Sequence, residues 1–260
     1  MDSSSQHQGF RRLYGSRAIV TGAGAGIGQA IARRLSAEGA HVVCADIDPE
    51  SASQTADALP GESMYRQVDV RDASQVEALI SGVVDSWQGL DVLVNNAGVG
   101  VAATTCETSE SDFQHVVDVC LKGTFLGMKY GIPALRQTGG GSVVNISSIA
   151  ALVGLKDRAV YCAAKGGVLA LTRAAAIDHV EEGVRVNCVV PGTVDTPWVE
   201  RITAGYEDPQ AARAAMQQRQ PHGRLVTPEE IAAAVAYLAS EEAASVVGAG
   251  MVVDGGMTAR

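Results

Sequence analysis

The stretch from Arg17 to Asp46 leaves this chain few folds to choose from. Arg17-Ala-Ile-Val-Thr21 is a short apolar run, Gly22-Ala-Gly-Ala-Gly-Ile-Gly28 is a glycine-rich turn, and Ile31 and Leu35 repeat at helical spacing before Gly39 stops the pattern. His41-Val-Val-Cys-Ala-Asp46 is a second apolar run. Strand, turn, helix and strand in that order make a βαβ unit, whose crossover is right-handed and whose strands are parallel. A parallel sheet requires helices on both of its faces.

The alternation continues to the C-terminus. Further strands are predicted at Met64 to Val68, Leu90 to Val94, Ser142 to Ser147, Val184 to Val190 and Gly250 to Val253, which makes seven. Helices are predicted after Pro49, over Ala73 to Trp87, as one long helix from Ser109 to Leu135, from Tyr161 towards Glu182, and after the capping sequence Thr227-Pro-Glu-Glu230. This is a doubly wound α/β pattern of three layers. Gly123, Gly127 and Gly131 share one stripe of the long helix, where each costs about 1 kcal/mol relative to alanine. Close approach by a neighbouring backbone is the expected compensation. The stretch from Asp195 to Pro221 reads as polar and irregular.

With 260 residues, 47% hydrophobic and 19% charged, the chain suits one large core, and one domain over residues 15–260 is expected behind a flexible tail at 1–14. The net charge of -9, without a compensating run of Lys or Arg, offers nucleic acid no footprint. No apolar run reads as long enough to cross a bilayer, so no membrane partner is expected. The five cysteines, Cys44, Cys106, Cys120, Cys162 and Cys188, lack zinc spacing, and the histidines lack a metal pattern, so no metal is expected; reduced thiols suit a cytoplasmic protein. A small-molecule partner is the remaining expectation.

The glycine turn is an anion site, because free N–H groups at a helix N-terminus face a phosphate and missing Cβ atoms let it approach. Asp46, ending the second strand 24 residues after Gly22, can accept both hydroxyls of an adenosine ribose and would repel a 2′-phosphate, which favours NAD. An ordinary capping or surface role would also place an Asp here. Asn95-Asn96-Ala97-Gly98 and Ser148 end strands on the same edge. Tyr161 and Lys165 stand four apart on one helix face, and a nearby ammonium favours ionisation of a phenol whose ordinary pKa is ~10. The pair could exchange a proton with an alcohol or ketone near neutral pH; such pairs also arise by chance in helices.

Thr21-Gly22-x-x-x-Gly26-x-Gly28, Asn95-Asn96-Ala97-Gly98, Ser148, Tyr161-x-x-x-Lys165 and Pro191-Gly192 together resemble the short-chain dehydrogenase/reductase family from about Gly15 to Gly256. The resemblance implies a single Rossmann domain, a homotetramer, and NAD(H) or NADP(H) with hydride transfer at a secondary alcohol or ketone. It makes Tyr161 the acid/base, Lys165 the group that lowers its pKa and holds the nicotinamide ribose, and Ser148 the donor to the substrate oxygen. Ile27, with Gly22, Gly26 and Gly28, falls in the phosphate turn. Asp69 and Val70 match the adenine contact. Thr193, Val194 and Thr196 follow Pro191-Gly192 where the family holds the carboxamide, and residues 195–221 match its mobile substrate loop. Cys120 stands where the family has an Asn that helps hold a water linking the lysine to solvent, which implies a weakened proton relay. Pro191 to Arg201 and Gln220 to Arg224 resemble dehydrogenases of sugars such as L-fucose, with Trp198 stacking on the sugar and Glu200, Arg201 or His222 binding hydroxyls. A 3-oxoacyl carrier-protein reductase, a hydroxysteroid dehydrogenase, or an NAD-binding regulator without activity are the alternative readings.

Overall fold

The computed structural model describes residues 12–259. Most of the expected tail, residues 1–11, lies outside the described residues. Arg12 and Leu13 do not behave as tail. Leu13 is buried, and the Arg12 guanidinium makes paired bonds of 2.7 Å to both carboxylate oxygens of Glu38 and a third to Glu242. The ordered domain therefore begins before Gly15, fixed by one apolar side chain and one buried carboxylate.

The seven strands are β1 (Arg17–Thr21), β2 (His41–Asp46), β3 (Ser63–Gln67), β4 (Val92–Asn95), β5 (Gly141–Ile146), β6 (Val184–Pro191) and β7 (Gly250–Val253). They form one wholly parallel sheet in the order β3-β2-β1-β4-β5-β6-β7. The helices are α1 (Gly26–Ala37), α2 (Pro49–Asp57), α3 (Ala73–Trp87), α4 (Glu110–Val117), α5 (Gly123–Gln137), α6 (Ala159–His179), α7 (Pro197–Thr203), α8 (Pro209–Gln218) and α9 (Pro228–Ala239). Alternate strand residues feed two cores. Ala18, Val20, Val42, Val92, Val94 and Val144 pack under α1 and α9, whereas Ile19, Val43, Leu93 and Val143 pack under α3 and α5. Burial on both faces explains why these strands read as continuous apolar runs.

The predicted long helix is interrupted. Residues Asp118–Lys122 form a π turn centred on Cys120, between α4 and α5. The glycine stripe does meet the sheet, but through side chains rather than backbone: a Cβ on Gly127 would strike the Asn95 amide and one on Gly131 would strike Leu93. The polar stretch after β6 also differs from the expectation, since it holds α7 and α8. Each begins with proline at its first position, after Thr196 and Asp208 respectively. The run Ala159–Glu182 is long and apolar enough for a bilayer by length and composition, contrary to the sequence reading. Here Ala164, Val168, Leu169 and Thr172 are buried, so it serves as a core helix.

Helix α9 is closed by a full capping box. The Thr227 hydroxyl accepts from the Glu230 N–H at 3.3 Å, and the Glu230 carboxylate accepts from the Thr227 N–H at 2.8 Å. Arg224 grips the same carboxylate, and its bonds, with the Thr227 N–H, pull the Glu230 pKa down to about 2. A depressed folded-state pKa means that this stabilisation is complete above the ordinary glutamate value and fades as pH falls towards about 2. Thr227→Ala is expected to lower the unfolding free energy by about 1 kcal/mol in denaturant titrations at neutral pH.

Candidate active site

A cavity of about 750 Å³ lies along the carboxyl edge of the sheet, from Asp46 at the end of β2 to Trp198 on α7. Its floor at one end is the glycine turn. Gly22 and Gly26 adopt φ of +65° and +55°, the left-handed region that glycine occupies without strain. A Cβ on Gly28 would collide with the Gly22 carbonyl. Helix α1 starts with no side-chain cap and no acid in its first turn, which leaves its N–H groups open to an anion.

Two neighbours hold this turn. Asn96 Nδ2 donates to the carbonyls of Thr21 at 2.9 Å and Gly22 at 3.1 Å, while Thr21 Oγ1 accepts from the N–H groups of Asn96 and Ala97. Thr21 is thus a positioning residue that the sequence reading passed over. So is Gly24, whose N–H donates to Asp46 Oδ2 at 2.9 Å and whose missing Cβ leaves room for Ser51 and Asp46. Its place between Gly22 and Gly26 was the available signal. Asp46 also accepts from the Asp48 N–H at 3.1 Å. Asp69 and Val70 line the same end, with Asp69 held by Arg71 at 2.6 Å and its pKa lowered mainly by that bond. The cradle, the open helix terminus and the unpaired acid Asp46 fit a dinucleotide.

Ser148, Tyr161 and Lys165 converge on the other half of the cavity. Lys165 is 3% exposed, and its Nζ donates to the Ile146 carbonyl at 2.8 Å. Burial opposes its charge, but the Cys120 sulfur and the Tyr161 oxygen outweigh that and raise its pKa. The ammonium lies 5.8 Å from the Tyr161 ring centroid. Ser147 Oγ donates to the Lys165 carbonyl at 2.8 Å and ties α6 to β5. Burial is the largest influence on Tyr161 and raises its pKa; the charge of Lys165 and the Ser148 hydroxyl pull the other way without cancelling it. The sequence expectation of a lowered phenol pKa therefore does not hold, because desolvation exceeds the attraction of the Lys165 ammonium.

Cys120 does not line the cavity. It is fully buried, its Sγ donating to the Val99 carbonyl at 3.2 Å and accepting from the Val99 N–H at 3.4 Å. A Cβ on Gly98 would lie 3.3 Å from Lys165 Nζ and 3.7 Å from the sulfur, so only a bare backbone separates the thiol from the ammonium. Cys120 is a positioning group behind the site, not one that touches substrate.

Pro191, Gly192, Thr193, Val194 and Thr196 line the wall after β6. Gly192 packs so closely on Asp254 and Gln220 that a side chain has no room. Of the proposed substrate contacts, Trp198 and Arg201 reach the cavity and Glu200 and His222 do not. Trp198 stacks on Tyr161 with ring centroids 6.2 Å apart. His222 instead packs on Gly255, whose carbonyl accepts from the His222 N–H at 3.1 Å.

Residues 22–258 match the family described as enoyl-(acyl carrier protein) reductase. The chain is 44% identical to meso-2,3-butanediol dehydrogenase of Serratia marcescens over 93% of its own length and 94% of that protein. It is 42% identical to cis-4-hydroxycyclohexanecarboxylate dehydrogenase of Sinomonas cyclohexanicum, covering 93% and 96% of the two chains. Levodione reductase superposes with a TM-score of 0.93 at 34% identity, over 95% of this chain and 99% of that one. With Ser148, Tyr161 and Lys165 gathered beside a dinucleotide cradle, these matches make the chain a member of the short-chain dehydrogenase/reductase family, an oxidoreductase acting on CH–OH groups.

Proposed function

We propose that the protein is an NAD-dependent oxidoreductase that interconverts a secondary alcohol and a ketone, with Tyr161 as acid/base. The observation that carries this reading is the buried Lys165 ammonium beside Tyr161, in one cavity with Ser148 and the Asp46-braced glycine turn. Bound NAD(H) supplies or accepts the hydride. In oxidation, Tyr161 takes the hydroxyl proton while Ser148 donates to the developing carbonyl oxygen; in reduction the proton returns from Tyr161. Lys165 stabilises the phenolate, and Gly22, Gly26, Ile27 and Gly28 hold the pyrophosphate. Asp46 binds the adenosine ribose, Val70 and Asp69 flank the adenine, and Val194 and Thr196 hold the carboxamide. Asp46 favours NAD over NADP, and Arg71 offers a 2′-phosphate little because Asp69 already pairs with it.

Trp198, stacked beside Tyr161, supports a ring-shaped substrate, of which a sugar or polyol is one form. Exposed apolar side chains on α4, α5, α6 and the edge strand β7, namely Phe113, Phe125, Ile177 and Val252, support assembly as a homotetramer. Five free thiols suit a reducing cytoplasm.

Turnover of cyclic and acyclic secondary alcohols, sugars and hydroxyacyl thioesters, followed by absorbance of reduced nicotinamide, tests the reading. NAD is expected to support it, and Tyr161→Phe to reduce it at least about 100-fold. Binding of NAD without turnover of any of them would instead mark a regulator. Asp46→Ala is expected to weaken NAD and narrow its advantage over NADP, which equal use of both cofactors by the parent protein would contradict. Because burial raises the Tyr161 pKa, alcohol oxidation should gain rate from neutral into alkaline pH, as more of the phenol ionises, while ketone reduction should lose rate there. A pH-independent oxidation rate would remove Tyr161 as proton acceptor. Cys120→Asn, whose amide can satisfy both Val99 groups, is expected to speed turnover about two- to tenfold if the thiol limits the proton relay. An unchanged rate and pH profile would show that it does not.

A further inference from the structure

The cavity has two electrostatic ends. Its acidic lining side chains, Asp46, Asp48 and Asp69, all belong to the dinucleotide half. Around Tyr161 the wall carries Lys156, Arg158, Arg201 and Arg219, without a single Asp or Glu. That concentration of positive charge runs against the net charge of -9. Three elements contribute it. Lys156 and Arg158 come from the segment leading into α6, with Arg158 three residues before Tyr161; Arg201 lies three residues after Trp198 on α7; Arg219 follows α8.

Three of them, Lys156, Arg158 and Arg201, pair with no carboxylate among the described residues. Arg12, Arg17, Arg71, Arg213 and Arg224 each pair with a carboxylate. Arg158 donates only to the carbonyls of Val101 and Asp157, at 3.2 and 3.0 Å. Lys156 and Arg201 make no hydrogen bond or ion pair with another described residue. Desolvation lowers the Arg219 pKa, the Tyr206 phenol opposes that, and the like charge of Arg158 adds to the lowering. Lys156, Arg158 and Arg201 therefore keep donors that an arriving oxyanion can pair with. The same cavity is lined by the apolar side chains of Ile149, Leu155, Ile202 and Met216, which suit a hydrocarbon skeleton.

We infer that the natural substrate is a secondary alcohol, or its ketone, that carries a carboxylate or sulfonate on the far side of an apolar skeleton, held by Arg158, Arg201 and their cationic neighbours. The inference rests on the proposed alcohol–ketone chemistry at Tyr161 and adds the charge of the molecule on which it acts. Tyr161 and Ser148 fix the carbinol, and the cationic wall fixes the opposite end.

The test compares kcat/KM with NAD for pairs that differ only in charge: 4-hydroxycyclohexanecarboxylate and its carboxamide, 4-hydroxycyclohexanesulfonate and its sulfonamide, and 3-hydroxybutyrate and its amide. At least one anion is expected to exceed its neutral partner by about tenfold or more, chiefly through KM; which acid wins separates carboxylate from sulfonate. Arg158→Gln and Arg201→Gln should bring that ratio towards one without weakening NAD in a direct titration, and Arg201→Lys should keep part of it. Neutral partners used as well as the anions, turnover confined to neutral alcohols such as cyclohexanol and 2,3-butanediol, or loss of NAD affinity with the preference intact would each overturn the inference. No turnover of any secondary alcohol would overturn the oxidoreductase reading itself, and the inference with it.

Discussion

A positive charge sits in the interior of this protein, and the site is built around keeping it there. Lys165 is almost wholly buried, and an ammonium without water needs acceptors close by. The Ile146 carbonyl at the end of β5 is one, and the Tyr161 oxygen and Cys120 sulfur add to the attraction. The parallel sheet makes this possible because its strands end together at one edge, where the carbonyls of their last residues have no further ladder partner. The same edge exposes the start of α1 to the cavity. One architectural choice therefore supplies an acceptor for the cation and an opening for an anion.

The phenol is in a less settled position. The same dry surroundings that strengthen the pull of Lys165 on Tyr161 also penalise its anion, and the penalty is the larger. A binding partner that adds positive charge or new hydrogen bonds at the phenol would shift that balance, which couples acid/base readiness to occupancy of the cavity. The stacked Trp198 ring covers the phenol from the α7 side, so the helices after β6 help to set this dryness.

The sheet, the glycine turn and the order of the chemical groups were legible in the sequence because each is a local pattern: alternating βα units, glycines where no Cβ fits, and a helical i, i+4 pair. The long helix was not. Its apolar and glycine spacing continues on both sides of Cys120, and the extra residue of the π turn leaves no compositional mark. The backbone acceptors of Lys165 and Cys120 were equally hidden, since any residue can present a carbonyl. Helices α7 and α8 could have been found from Thr196-Pro197 and Asp208-Pro209, but their polar surroundings masked the short apolar stripes. His222 and Glu200 were proposed from the resemblance of their segments to sugar dehydrogenases; His222 packs on Gly255, and Glu200 lies on α7 between Val199 and Arg201 without lining the cavity.

The π turn also sets how α4 and α5 divide their work. One residue more than an α-helical turn rotates everything downstream by about 100° about the helix axis. Upstream of it, Val116 faces the cluster that includes Tyr161 and Val160; downstream, Gly127 and Gly131 face β4. A chain shortened by one residue between 118 and 122 could form an unbroken helix, yet it could satisfy only one of these two surfaces. The local irregularity works as a phase shifter between two packing registers, and the spacing of Val116 from Gly127 is as much a part of the active site as any side chain within it.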